Sequence, residues 1–125
     1  MPNTLLLNKH ILIVEDDRPS RLLLEIILEE AGCSFEAVVN GQEAVDKVKE
    51  GKFDVVLMDV RMPVLTGYEA ARAIRDGHKD LPIIAVTAHA MQGVKEKCLE
   101  CGMSDYLTKP FDQEKLVEVL VKWVK

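Results

Sequence analysis

Five short apolar runs alternate along this chain with longer segments of helical spacing: ILIV at 11–14, EAVV at 36–39, DVVLM at 54–58, PIIAV at 82–86 and DYL at 105–107. That alternation limits the available folds more than any other feature. The runs are too short for helices, and Gly, Pro or Asn stands at most of their boundaries, so they read as the strands of five βα units. Strands that are apolar without polar alternation suit a parallel sheet with helices on both faces and right-handed crossovers. The expected class is α/β, a doubly wound parallel sheet. Ligands of such sheets bind beyond the carboxyl ends of the strands, near the point where strand order reverses.

Local signals place some helices. The first should start near Pro19, which suits a first turn, and run through Leu23, Ile27 and Ala31 on its sheet-facing side to a stop at Gly32. In TGYE at 66–69, Thr66 can cap a helix while Glu69 reaches back to it. The last helix carries Leu116, Val119, Leu120 and Trp123 on one face, with Val117, Val121 and Val124 as a second stripe. That arc spans roughly 200°, against the ~100° needed to cover a sheet. The extra valines are either half-buried or part of a docking surface.

With 125 residues the chain is long enough for one domain with a real core and too short for two. A single domain is expected over 1–125, with its core from about 9 to 125 and residues 1–8 as a tail. The formal charge of −5 and the lack of a basic run argue against direct nucleic-acid binding. The three leucines at 5–7 are too few for a signal peptide, and nothing approaches the ~20 apolar residues of a membrane span. A cytoplasmic chain without membrane insertion is expected. CLEC at 98–101 could be half of a zinc site or a redox pair, but no second half completes it. Reduced thiols on a helix are the simpler reading.

Reading only strand ends collects Glu15, Asp16 and Asp17 after the first run, Asp59 after the third, Thr87 after the fourth and Lys109 after the fifth. All would converge on one rim. Several carboxylates at one place repel each other, and a hard divalent cation such as Mg²⁺ relieves that repulsion. Lys109 offers a point charge for a phosphate oxygen, and the Thr87 hydroxyl can donate to another. The chemistry these parts suit is attack on a phosphoryl group by Asp59, since a carboxylate needs no general base at neutral pH.

The segments HILIVEDD, VVLMDVRMPVLTG, IIAVTAHAM and YLTKPF occur in the order and spacing of the receiver domain of two-component signalling. Over essentially its whole length the chain resembles this CheY-like response-regulator family. TAHAMQGVKEKCLECGMSDYLTKP resembles the receivers of hybrid sensor histidine kinases more closely than free-standing regulators. The resemblance implies a flavodoxin-like (βα)5 fold with strand order 2-1-3-4-5. It implies Mg²⁺ or Mn²⁺ held by Asp16, Asp59, the Arg61 main-chain carbonyl and, through water, Glu15. Asp59 corresponds to the phospho-acceptor, Lys109 to the phosphate-pairing lysine, Thr87 to the switch hydroxyl and Tyr106 to the switch aromatic. Arg61 and His89 correspond to positions that tune dephosphorylation, and a cis peptide is implied before Pro110.

The implied partner is a histidine kinase or histidine phosphotransfer protein, with an output partner or dimer on the surface of the fourth helix, fifth strand and fifth helix. As an isolated domain the chain would catalyse only its own phosphorylation and dephosphorylation. The Glu-Asp pair at 15–16, where many members carry Asp-Asp, is a departure from the pattern. Two alternatives stay open. A Mg²⁺-dependent aspartyl-phosphate phosphohydrolase usually needs a second acid two residues after its nucleophile, where this chain has Arg61. A non-phosphorylated docking module would have a damaged rim.

Overall fold

The computed structural model describes residues 4–61, 65–88, 93–109 and 111–124. Its elements run β1 (His10–Val14), α1 (Arg18–Ala31), β2 (Ser34–Val38), α2 (Gly41–Glu50), β3 (Val55–Asp59), α3 (Gly67–Arg75), β4 (Ile83–Thr87), α4 (Val94–Glu100), β5 (Asp105–Thr108) and α5 (Gln113–Trp123). The strands form one parallel sheet in the order β2-β1-β3-β4-β5. This is the doubly wound parallel sheet expected from the five runs, in the flavodoxin-like strand order that the resemblance implies. Strand order reverses between β1 and β3, so a crevice opens beyond their carboxyl ends.

The central strands feed alternate side chains to two cores, as the pleat requires. Ile11, Ile13, Val55, Leu57, Ile84 and Val86 meet α1 and α5 on one face. Leu12, Val14, Val56, Met58 and Ala85 meet α2, α3 and α4 on the other. Strands buried on both faces have no use for polar alternation, which explains their continuous apolar runs.

Capping sets where α1 begins and ends. Asp17 accepts the Ser20 N–H at 3.1 Å, Pro19 occupies the first turn, and Gly32 closes the helix at φ 89°. The buried stripe is Leu24, Ile27, Leu28 and Ala31, an i, i+3, i+4, i+7 series. The assignment of Leu23 to that face needs correction, because it stands one residue outside the stripe and is 45% exposed. Together with Leu22 and Ile26 it leaves an apolar patch on the outer side of α1.

Three other expectations are refined. β2 begins two residues before EAVV and leaves Val39 exposed after its last residue, as an edge strand allows. The segment taken as a tail contributes Leu6 to the α1–α5 core, and the Asn8 N–H donates to Gly32 O at 3.1 Å. On α5, Leu116 and Leu120 are fully buried while Val117, Val119, Val121, Trp123 and Val124 pack half-buried around them. Packing therefore takes up much of the wide apolar arc. Among the described residues no helix is long and apolar enough to cross a membrane.

Candidate functional site

β1 ends at Val14, and the next two residues, Glu15 and Asp16, diverge. Glu15 folds inward to 1% exposure, whereas Asp16 faces solvent. Asp59 is the last residue of β3, the strand beside β1, and its side chain is 12% exposed. Adjacent parallel strands ending at similar heights bring the three carboxylates together, with one oxygen from each lying within 4.8 Å of the others. Like charges at that spacing are unfavourable without a compensating cation or proton.

Lys109, just after β5, supplies part of that charge. Its Nζ donates to Glu15 Oε1 at 2.7 Å and to Ser20 Oγ at 3.3 Å, and lies 4.0 Å from Asp59 Oδ2. The same surroundings favour the protonated form of Glu15. Burial, and then a hydrogen bond to the Asp59 carboxylate, push the Glu15 carboxyl up to about 7, with the Lys109 ammonium pulling it back. The Lys109 ammonium thus offsets part of the charge of the three carboxylates.

Backbone donors orient the loops around it. The Arg61 N–H donates to Asp59 Oδ1 at 3.1 Å, and the Asp17 N–H to Glu15 Oε2 at 3.3 Å. Behind β3, the α3 capping box is formed in both directions between Thr66 and Glu69. Gly67 lets α3 start against the β3 end, because a Cβ there would overlap the Asp59 carbonyl oxygen and lie 2.7 Å from Val60 Cα.

Thr87 closes β4 and is fully buried, and its carbonyl accepts the Lys109 N–H at 2.7 Å. That bond ties the β4 end to the loop carrying Lys109. Tyr106, in β5, is half-buried against the α2–α3–α4 core with Lys95 Nζ 5.9 Å from its ring centre. It lies on the edge strand, where it lines a small pocket with Lys95, Cys98 and Leu99 of α4. Arg61 is exposed next to Asp59. His89 and Pro110 lie outside the described residues. Cys98 and Cys101 are buried free thiols, and the one potential metal cluster among the described residues is Glu15, Asp16 and Asp59.

Two participants escaped the sequence reading. Ser20 Oγ accepts from Lys109, and Arg21 Nη1 donates to Glu15 O at 3.2 Å. Both follow Pro19 in the first turns of α1, and only their position after the acidic triplet could have pointed to them.

Comparison with known proteins agrees with this geometry. The family model for the response regulator receiver domain matches residues 11–121. The sensor protein GacS of Pseudomonas syringae pv. syringae is 43% identical over 118 residues, covering 90% of this chain and 13% of that protein. The chain thus spans a small part of the length of such relatives. The receiver domain of sensor histidine kinase PA1611 from Pseudomonas aeruginosa, solved with magnesium coordinated in its active-site cleft, superposes with a TM-score of 0.87 at 42% identity over 93% of this chain and 97% of that one. The Saccharomyces cerevisiae Ssk1 receiver, solved in complex with the histidine phosphotransfer protein Ypd1, gives 0.88 at 36% identity over 95% and 90%. Sequence match, strand order and acidic rim together make this chain a member of the response regulator receiver domain family of two-component signalling.

Proposed function

We propose that this receiver domain, a single unit over 1–125, accepts a phosphoryl group from a phosphohistidine onto Asp59. The observation that carries the reading is Asp59 at the end of β3, within one group of three carboxylates and 4.0 Å from Lys109 Nζ. An Asp59 carboxylate oxygen attacks phosphorus, the new O–P bond forms as the N–P bond breaks, and the imidazole leaves and takes a proton from solvent. Lys109 and the Thr87 hydroxyl bind the transferred oxygens.

Glu15, Asp16 and Asp59 suit a hard divalent ion by donor type and spacing, with the Arg61 carbonyl as a further oxygen ligand. Mg²⁺ bound there supplies positive charge opposite the developing phosphoryl charge. Glu15 reaches it through water, since its carboxylate already serves Lys109. Arg61 and His89 tune the lifetime of the acyl phosphate. An exposed arginine at 61 leaves no acid for sustained phosphomonoester hydrolysis.

The added charge draws Lys109 and Thr87 toward Asp59, and Tyr106 follows, shifting the α4–β5–α5 surface between two populated arrangements that an output partner or a second copy reads. The donor docks elsewhere. Leu22, Leu23 and Ile26 are 44–54% exposed on α1, whose cap follows Asp16, and this patch suits a histidine phosphotransfer protein or the corresponding kinase domain.

Incubation with acetyl phosphate and Mg²⁺, followed by intact mass, tests the acceptor. Wild type gains one phosphoryl group and Asp59→Asn gains none. A gain that persists in the variant, or never appears in wild type, overturns the assignment.

A further inference from the structure

Beside the acidic rim, between α3 and α4, lies a groove of about 770 Å³ whose walls include Arg61, Tyr68, Arg72, Lys97 and Cys101, with Asp16 at the rim end. Its volume falls in the range of small-molecule sites. In a chain of net charge −5 this groove collects three cations. Among the described residues none of the three forms a salt bridge. Glu69, the remaining acid on the wall, is engaged by the Thr66 N–H in the α3 cap.

Two of the cations are held in place by neutral partners. Arg72 Nε donates to Cys101 Sγ at 3.4 Å, which anchors the guanidinium through its inner nitrogen. Both outer Nη groups are left without a partner among the described residues, so the fork is open for bidentate binding of a carboxylate or phosphate. Lys97 Nζ sits 4.5 Å from the Tyr68 ring centre, fixing the ammonium and the half-buried ring beside each other. Positively charged donors held by a thiol and an aromatic ring keep their attraction for an anion, whereas carboxylate partners would have neutralised it. Holding them beforehand also lowers the ordering cost of binding.

We propose that this groove binds a small organic dianion with a flat, ring-bearing body. The Arg72 fork takes the charged group, Lys97 adds the second charge contact, and the body lies along Tyr68 and the apolar floor at Val60. The site is separate from the Lys109–Asp59 pair but shares the Val60–Arg61 turn with it, so an occupied groove borders the acceptor.

Phenylphosphonate is a suitable probe because it carries two charges and a ring and has no transferable phosphoryl group. Titrated without Mg²⁺ into ¹⁵N-labelled protein, it should give saturable amide shifts centred on Tyr68, Arg72, Lys97 and Cys101. Neutral benzyl alcohol should give none, and sulfate should bind at least fivefold more weakly. Affinity should fall tenfold or more in Arg72→Gln/Lys97→Gln, while that variant still labels Asp59 with acetyl phosphate. Shifts centred on Thr87 and Lys109, equal affinity for sulfate, or unchanged affinity in the double variant would each overturn the proposal. Acetyl phosphate labelling of Asp59 is scored separately, so failure of the acceptor assignment cannot be mistaken for failure of this one.

Discussion

Lys109 Nζ lies 2.7 Å from Glu15 Oε1 and 4.0 Å from Asp59 Oδ2, so the lysine's close ionic partner is the buried glutamate. The pair joins the ends of β1 and β5 across the carboxyl edge of the sheet. It keeps the ammonium over the crevice while leaving Asp59 without a close ion pair, which suits a carboxylate that must react.

Replacing Lys109 with Gln removes the charge that lowers the Glu15 carboxyl, so that carboxyl should titrate above about 7. Because Glu15 can then protonate, the loss of stability at pH 7 should stay below the ~3–5 kcal/mol typical of a broken buried pair whose survivor remains charged. A ¹³C-detected titration of the Glu15 carboxyl checks the first outcome, and urea denaturation the second.

The raised Glu15 carboxyl fixes the sign of a pH effect. Between its ordinary 4.5 and about 7 the folded chain holds a proton that the unfolded chain has released. Metal-free stability should therefore be complete below about 4.5 and fall as pH rises through about 7, by about 3 kcal/mol in total at about 1.4 kcal/mol per unit. Asp17 and Glu36, held low mainly by hydrogen bonds to Ser20 and His10, act in the opposite direction and only at more acidic pH. Mg²⁺ favours ionised carboxylates and should flatten the slope, as should Glu15→Gln. Thermal melts from pH 4.5 to 8 with and without Mg²⁺ measure it.

Gly67→Ala should weaken both fold and site. Its Cβ would meet the backbone at Asp59 and Val60, which cannot rotate away as a side chain could. Overpacking of this kind costs about 1–3 kcal/mol. The strain falls on the residue bearing the acceptor carboxylate, so Mg²⁺ affinity by calorimetry should drop with the denaturation midpoint. A control at Gly77, where a Cβ meets nothing within 4 Å, should change neither.

Arg75 connects the α3–β4 and α4–β5 loops. Its Nη1 donates to the carbonyls of His78, Leu81 and Lys79 at 2.6, 2.7 and 3.1 Å, and Nε and Nη2 donate to Gly102 O at 2.9 and 2.6 Å. A lysine cannot reproduce that fork. Arg75→Ala should cost about 3 kcal/mol, as charged hydrogen bonds to partly buried carbonyls are worth about 1.5–3 kcal/mol each and combine non-additively. Arg75→Lys should recover less than half. Urea midpoints at unchanged m-value check both.

Polar substitution of the α1 patch separates docking from chemistry. Leu22→Ser/Leu23→Ser/Ile26→Ser should slow phosphoryl transfer from a phosphorylated histidine phosphotransfer protein by tenfold or more, since it removes the apolar area that a docked partner would bury. Labelling by acetyl phosphate should stay within twofold of wild type, as measured by intact mass.

Much of the molecule was legible in the residues. The five βα units follow from run length and periodicity, the α1 stop from Gly32, and the α3 start from the Thr66–Glu69 box; each depends on forces acting within a few residues. The strand-end acids and Lys109 were legible because a parallel sheet delivers its strand ends to one edge. Leu23 was misassigned because Leu22, Leu23, Leu24, Ile26, Ile27 and Leu28 offer several overlapping apolar arcs. Which arc turns inward depends on the sheet it meets.

By itself, then, the sequence determined the element order, the parallel sheet and the set of side chains at its carboxyl edge. Tertiary structure alone decided that Lys109 pairs with Glu15, 94 residues away, that Ser20 joins them, that Leu6 enters the core and that the Arg72 fork faces a groove. The division has a physical cause. Helix caps and hydrophobic periods are local, whereas the partner of a long flexible cation is chosen by ångström-scale differences in how distant strands and helices pack.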